Sequence, residues 1–214
     1  MSKLELTPPI IIITMGYPGS GKTFFARQFS DTYSLPRISE EVIRYELFES
    51  PSFNNDESDI LERVMFYALA ELMKTGSSII CDAAFMKLAQ RKRLYELATK
   101  AGYRTLTVWV QTDLVTSATR SSRRDKRSVD SKHSFNLDKS TFKYIVSNIE
   151  KPIEKENSIV ISGKHPFKNQ SIAVLKKITS TYSEALVNKT GVVNPLADPV
   201  KPSLSRSIKT KFVQ

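Results

Sequence analysis

Residues 16–23 read Gly-Tyr-Pro-Gly-Ser-Gly-Lys-Thr, which fits the pattern G-x-x-x-x-G-K-[ST] and includes three of the seven glycines in the chain. Glycine can turn successive backbone N–H groups inward without a steric penalty from a Cβ atom, and such a row of N–H groups wraps phosphates. Lys22 adds a charge for the β- and γ-phosphates, and the Thr23 hydroxyl can ligate Mg²⁺. The octet therefore predicts a site for ATP and Mg²⁺ formed by Gly16, Tyr17, Pro18, Gly19, Ser20, Gly21, Lys22 and Thr23.

The segments on either side of the octet favour this interpretation. Residues 10–15 are a short run rich in isoleucine, which is typical of a strand buried on both faces. After the octet, Phe25, Ala26 and Phe29 fall on one side of a predicted helix. A strand before the motif and a helix after it distinguish a phosphate-binding loop from an ordinary glycine turn.

Three further residues could contribute to phosphoryl transfer. Asp82 ends a predicted strand at 77–83, and ligands gather at the carboxyl edge of open α/β sheets. We therefore predict that Asp82 binds Mg²⁺, with an N-cap of the next helix as the alternative. Glu41 and Arg44 lie one helical turn apart, so Glu41 could accept a proton from an acceptor hydroxyl while Arg44 holds an anionic part of the substrate. A surface ion pair is the alternative for these two residues.

A basic cluster follows the strand predicted at 105–111. Residues 116–132 contain six Lys or Arg side chains and only two Asp side chains. Arg120 and Arg124 lie one helical turn apart, and a phosphoryl-transfer site needs cations for the oxygens of the transferred group. The cluster predicts an arginine-bearing lid over the phosphates, with a solvated helix face as the alternative.

Predicted strands and helices alternate along the chain. Strands are expected at 10–15, 77–83, 105–111 and 158–161, and a short strand or a turn at 35–39. Helices are expected after the octet, at 40–48, 59–74, 88–101, after Asp113, at 140–148 and at 170–186. Residues 49–58 are predicted to form a loop. The alternation predicts an α/β fold with three layers, in which helices cover both faces of a mainly parallel sheet. We expect one domain at 1–186 and a flexible basic tail with Pro and Ser residues at 187–214.

Composition narrows the possible partners. The formal net charge is +10, which makes nucleic acid a possible partner, but no aromatic platform with interleaved basic residues is evident, so nucleic acid is not favoured. Cys81 is the only cysteine and is predicted to be a buried thiol on a strand. The N-terminus has no signal-peptide pattern and no apolar run is long enough to span a bilayer, so we expect a cytoplasmic protein without membrane contact.

The chain resembles the P-loop kinase group that includes phage polynucleotide kinase, zeta-toxin-like kinases and AAA-type ATP-binding proteins. The resemblance covers roughly residues 10–180 and rests on four segments: 16–23, 39–48, 79–85 and 120–124. It implies a sheet with strand order 2-3-1-4-5. It also implies that Asp82 is the acid at the strand end and that Arg124 or Arg120 is the lid arginine. Where the group has Asp-x-x-Arg, this chain has Glu41 and Arg44, and the glutamate carboxylate reaches about one methylene further.

The leading functional hypothesis is an ATP- and Mg²⁺-dependent kinase. It would transfer the γ-phosphate to a hydroxyl of a small molecule or a nucleic-acid end, with Lys22, Glu41, Arg44, Asp82, Arg120 and Arg124 as its catalytic residues. The alternative is a nucleotide-dependent ATPase or switch module that binds an anionic partner. Glu41 and Arg44 favour the kinase, because a switch needs no base for an acceptor.

Overall fold

The computed structural model describes residues 4–83, 85, 87–123 and 136–190; Arg124 and residues 191–214 lie outside this part of the chain. Within it, strands and helices alternate. The strands are β1 (Ile10–Met15), β2 (Arg37–Ser39), β3 (Ile79–Asp82), β4 (Arg104–Gln111) and β5 (Ser158–Ser162). The helices are α1 (Lys22–Tyr33), α2 (Glu40–Leu47), α3 (Asn55–Met73), α4 (Leu88–Lys100), α5 (Leu114–Ser122), α6 (Lys139–Asn148) and α7 (Phe167–Thr190).

The five strands form one parallel sheet with the order β2-β3-β1-β4-β5, which confirms the order implied by the resemblance. All strands therefore end at the same edge of the sheet. The register pairs Thr14 of β1 with Asp82 of β3, and Asp82 with Ser39 of β2. Because β1 is the central strand, the loop that follows it lies in the middle of this edge.

Helices cover both faces of the sheet, as the alternating pattern predicts. All six residues of β1 are buried, and their side chains alternate between the two layers. Ile10 and Ile12 pack with the layer formed by α1 and α7, whereas Ile11 and Ile13 pack with the layer formed by α3 and α4. Cys81 is buried in the second layer, as predicted. The three-layer α/β fold is confirmed.

Two helices differ from their predicted bounds by more than one residue. Helix α3 begins at Asn55, so the prediction of a loop through residue 58 is wrong. Asn54 caps this helix by accepting a hydrogen bond from the N–H of Glu57, and acidic residues in the first turn favour a helix N-terminus. The polar composition of residues 49–58 resembles that of a loop, so it did not indicate that α3 begins at Asn55. Helix α7 runs to Thr190, four residues beyond the predicted end of the domain at 186.

Within the described residues, no helix is both long enough and apolar enough to cross a membrane.

A buried ion pair ties α4 to the segment before β5. Arg91 is fully buried, and its Nε and one terminal nitrogen donate to Glu156 at 2.7 and 3.0 Å. The Tyr95 hydroxyl and the N–H of Ile153 also donate to Glu156, at 2.6 and 2.8 Å. Burial alone would raise the pKa of Glu156, but the hydrogen bonds from Arg91, Tyr95 and Ile153 outweigh it and lower the pKa. The pair therefore connects distant parts of the chain through a fully satisfied carboxylate.

We predict that Glu156→Gln lowers the free energy of unfolding by about 3–5 kcal/mol, because Arg91 is left charged and buried without its partner. Equilibrium unfolding in denaturant measures the change. Since the folded state lowers the pKa of Glu156, its contribution is present above the ordinary carboxyl pKa and is lost as the pH falls through the lowered value. The difference between the two proteins should therefore shrink at acidic pH.

The control is Glu62→Gln. Glu62 pairs with Arg93 at 2.9 Å, but the Arg93 side chain is 59% exposed. Removing this partly exposed pair should cost less than about 1 kcal/mol. Equal losses in the two variants would contradict the structural role of the buried pair.

Candidate active site

The phosphate-binding loop is a close-packed turn between β1 and α1. Gly19 has φ +78°, and a Cβ atom there would lie 2.3 Å from the carbonyl oxygen of Ser117, so neither the dihedral nor the space suits another residue. The Nζ atom of Lys22 donates to the carbonyl oxygen of Tyr17 at 3.2 Å and so reaches back across the loop. The loop leads into the N-terminus of α1, where backbone N–H groups and the helix dipole favour an anion.

Residues that directly follow β4 and β5 fix the position of the loop backbone. The Thr112 hydroxyl donates to the carbonyl oxygen of Ser20 at 3.0 Å, and the N–H of Gly163 donates to the carbonyl oxygen of Gln111 at 2.8 Å. A Cβ atom at Gly163 would lie only 1.9 Å from the Ser20 carbonyl oxygen. Sequence analysis missed Thr112 and Gly163. Their positions just after the two strands were the available signal.

Asp82 lies at the end of β3 and is 4% exposed. One carboxylate oxygen accepts from the Thr14 hydroxyl at 3.1 Å, and the other accepts from Arg37 at 3.0 Å. Burial, followed by the negative charge of Glu41, raises the pKa of Asp82, while Arg37, Lys22 and the bond from Thr14 act in the opposite direction. The alternative role of Asp82 as a helix cap is wrong, because α4 begins at Leu88 with Lys87 in the N-cap position.

Thr23 and Asp82 line the same cleft and offer the oxygen atoms that Mg²⁺ prefers. Among the residues that the structure describes, no group of three or more His, Cys, Asp or Glu side chains could hold a metal ion. Mg²⁺ usually keeps several waters and binds through one or two protein ligands together with the phosphates of its nucleotide. Thr23 and Asp82 could therefore hold a nucleotide-bound Mg²⁺ ion.

Arg44 is buried, and its guanidinium pairs with carboxylates of the protein. Its guanidinium donates to Glu40 and to Glu57, each at 3.2 Å, and lies 4.8 Å from the centre of the Phe53 ring. With only 6% of the residue exposed, the alternative of a surface ion pair does not describe Arg44. The structure places the guanidinium at the wall of the cleft and surrounds it with partners from the protein.

Glu57 organises the segment between α2 and α3. Its carboxylate accepts hydrogen bonds from the N–H and hydroxyl of Ser52 at 2.6 and 2.7 Å, and from the N–H of Phe53 at 2.8 Å. Phe53 has φ +57°, a left-handed conformation that is unusual for a bulky residue. Burial alone would raise the pKa of Glu57, but these hydrogen bonds and the charge of Arg44 lower it. Sequence analysis missed this residue, whose only signal was its place three residues after Asn54.

A single cleft of about 570 Å³ joins the phosphate-binding loop to a second region beyond it. The residues of the predicted site that line this cleft are Gly16, Pro18, Lys22, Thr23, Glu41, Arg44 and Asp82. The far walls come from the start of α3, from α6 and from the residues before α4: Ser52, Phe53, Asn55, Ser58, Asp59, Lys87, Gln90, Leu137, Ser140, Thr141, Tyr144, Ile145, Asn148 and Ile149. The space beyond the loop is thus continuous with the phosphate site.

The structure describes only part of the predicted lid. Arg120 is an exposed residue of α5, and its Cβ lies 3.2 Å from where a Cβ atom at Gly19 would be, so this helix lies directly beside the phosphate-binding loop. Arg120 is not among the residues that line the cleft, and Arg124 lies outside the described residues. The lid role of both arginines stays a prediction.

The sequence matches the family described as AAA domain over residues 11–152. The chain belongs to this AAA domain family. A comparison of its sequence with curated proteins gave no match. The match to the family includes the phosphate-binding loop, Glu41, Arg44, Asp82 and Arg120, so most of the predicted site lies inside the AAA domain.

Solved structures with this fold include nucleotide complexes and kinases. Kti12 of Chaetomium thermophilum in complex with ADP-AlF3 is 21% identical with a TM-score of 0.65, and the match covers 79% of this chain and 97% of Kti12. A gluconokinase from Sinorhizobium meliloti is 17% identical with a TM-score of 0.61, over 87% of this chain and 99% of that one. APS kinase CysC of Mycobacterium tuberculosis is 12% identical with a TM-score of 0.55, over 80% of this chain and 98% of that one.

These identities are low, so the structural matches show the fold alone. Together with the match to the AAA domain, they identify a nucleotide-binding P-loop fold of the kinase group.

We predict that Gly163→Ala weakens nucleotide binding by at least about tenfold, because the new methyl group would push the Ser20 carbonyl out of place. Titration with a fluorescent ATP analogue measures the affinity. Gly76→Ala is the control, since that site has φ +69° but nothing within 4 Å. This control should lose about 1 kcal/mol of stability through backbone strain and keep its nucleotide affinity. Normal affinity in the Gly163 variant would show that the loop does not depend on this contact.

Proposed function

We propose that the protein is an ATP- and Mg²⁺-dependent kinase that transfers the γ-phosphate of ATP to a hydroxyl of a small-molecule or nucleic-acid-end acceptor. One observation carries this proposal: the cleft that contains Lys22 and Thr23 also contains Glu41 and continues past them to α3 and α6. A protein that only binds and hydrolyses ATP needs no second compartment next to the phosphates. A kinase needs one, because the acceptor hydroxyl must approach the γ-phosphate in line with the leaving oxygen.

The residues of the loop receive the following roles in this proposal. The inward N–H groups of residues 16–23 and the Lys22 ammonium bind the phosphates, while Thr23 and Asp82 hold the metal ion. Mg²⁺, when bound, supplies positive charge to the β- and γ-phosphates. Arg120 and Arg124 would add charge from the lid as the transferred group separates from ADP.

Glu41 is the proposed base. Its charge contributes to the raised pKa of Asp82, so the two carboxylates lie near each other at the strand ends. In the transfer step the acceptor oxygen forms a bond to the γ-phosphorus, the bond from that phosphorus to the bridging oxygen of ADP breaks, and Glu41 takes the proton of the hydroxyl. Arg44 was predicted to hold an anionic part of the substrate. Its contacts with Glu40 and Glu57 support a different proposal, in which it fixes α2 and thereby Glu41.

Two of the similar structures are named as kinases, the gluconokinase and the APS kinase, and this supports the same reaction class. The competing function is a nucleotide-dependent switch that binds an anionic partner. The two functions differ in where the γ-phosphate goes. Incubation with γ-labelled ATP, Mg²⁺ and pooled acceptors distinguishes them. Label on an acceptor indicates a kinase, whereas tight ATP binding with label only in inorganic phosphate indicates the switch.

We expect Lys22→Ala to abolish turnover of γ-labelled ATP while leaving the fold intact, because the variant loses the charge that binds the β- and γ-phosphates. Release of label measures turnover, and circular dichroism with a thermal melt checks the fold. Full activity in a folded variant would refute the assignment of the phosphate-binding loop.

Glu41→Gln should slow phosphoryl transfer by about 10²- to 10⁴-fold, the usual contribution of a general base, and should leave ATP affinity nearly unchanged. Single-turnover transfer and equilibrium binding measure the two effects separately. Glu46→Gln is the matched control, because Glu46 lies on the same helix, is exposed and does not line the cleft. If the Glu41 variant loses ATP affinity instead, Glu41 is a structural partner of the nucleotide site.

A further inference from the structure

The cleft beyond the phosphate-binding loop is lined by more carboxylates than cations. Among the described residues that line it beyond the loop, the acids are Glu40, Glu41 and Asp59, and the bases are Arg44 and Lys87. Lys22 and Asp82 lie with the loop that binds the phosphates. Counted over these described residues, the acceptor region carries one more negative than positive charge, in a chain whose net charge is +10.

Both of these cations already contact carboxylates of the protein. Arg44 is held by Glu40 and by Glu57, and its guanidinium is buried. The Nζ atom of Lys87 lies 3.6 Å from a carboxylate oxygen of Glu150 and 3.4 Å from the amide oxygen of Asn148. Glu57 and Glu150 thus add negative charge directly behind the two bases. The positive charge of each cation is thus already offset by a carboxylate of the protein. An anionic acceptor that displaced Glu57 from Arg44 would also break a buried pair, which is costly.

A bound nucleotide would not make the charge of the acceptor region positive. The γ-phosphate brings negative charge to the boundary between the two regions, and the proposed metal ion lies with the phosphates, at Thr23 and Asp82. An acceptor with a positive charge would be attracted both by the carboxylates of the wall and by the γ-phosphate that it receives. Neutral polar side chains at the same wall, such as Asn55, Gln90 and Tyr144, can hydrogen-bond to hydroxyl groups.

We infer that the acceptor is a hydroxylated small molecule that carries an amino group, and that the cleft discriminates against acids and nucleic-acid ends. This inference rests on the proposed kinase function and names the substrate class of the same site. The negative charge of the wall repels an anionic acceptor and attracts an acceptor that carries an ammonium group. Both effects contribute to the discrimination.

The first test compares acceptors of similar size that carry different charges. Amine, neutral and acid members of a hexose series (glucosamine, glucose and glucuronate), with the equivalent cyclitols and a 5′-hydroxyl oligonucleotide, are incubated with the full chain, Mg²⁺ and γ-labelled ATP. We expect kcat/KM to fall from amine to neutral to acid, by at least about fivefold per step.

The outcomes separate the two proposals. Preferred transfer to an acid or to the oligonucleotide would overturn the inference while the kinase function stands. Label only in inorganic phosphate, with every acceptor class, would overturn the kinase function and this inference with it.

Asp59→Asn gives a matched variant. Asp59 is an exposed residue that lines the cleft and has no proposed role in the transfer step. The variant should reduce the preference for amine over acid by several-fold, because it removes one negative charge from the wall of the cleft. An unchanged preference would show that the charge of this wall does not select the acceptor.

The charge of the cleft can also be read without any acceptor. A neutral fluorophore is attached at Asn55→Cys, in the cleft, and at Ser180→Cys, an exposed site on α7. Cys81 is buried and burial raises the pKa of its thiol, so label attaches at the new cysteine. We compare the ratio of caesium to iodide quenching with the same ratio for the free fluorophore. This ratio should rise for the cleft probe and should be lower for the probe on α7. A ratio in the cleft below that of the free fluorophore would contradict the inference.

Discussion

The site depends on one buried carboxylate at the carboxyl edge of the sheet. Asp82 is almost completely buried, and it accepts hydrogen bonds from a neighbouring strand residue, Thr14, and from Arg37. Burial and the nearby negative charge of Glu41 raise the pKa of Asp82. A cation that binds together with a nucleotide would offset these two like charges.

The phosphate-binding loop is fixed by contacts that come from much later in the sequence. The loop itself follows β1, but the hydroxyl of Thr112 and the space left by Gly163 decide where its backbone lies. A loop held in this way is already shaped before it binds phosphate. Phosphate binding to this loop then loses little free energy to ordering the backbone, which is the advantage of a preorganised site.

Much of the fold could be predicted from local patterns. The isoleucines of β1 indicated a buried strand, the glycines of the octet indicated the turn, and the resemblance supplied the strand order. The contacts of Arg44 and the role of Glu57 could not be predicted. Glu57 lies thirteen residues from Arg44, and nothing in the spacing shows that α3 returns to cover α2. The polar composition of residues 49–58 even concealed the start of α3. When packing between helices and strands determines the partners of a side chain, no periodic pattern in the sequence indicates those partners.

The walls of the cleft and the phosphate-binding loop belong to different parts of the architecture. The loop is built on strand ends, where any change disturbs the sheet. The wall of the cleft before α3 is held chiefly by the carboxylate of Glu57, which binds Ser52, Phe53 and Arg44. A segment that is held mainly by one side chain can be exchanged as a unit when those bonds are kept. Substitutions in residues 49–53 that preserve the bonds to Glu57 could therefore change what this wall contacts without rebuilding the nucleotide site.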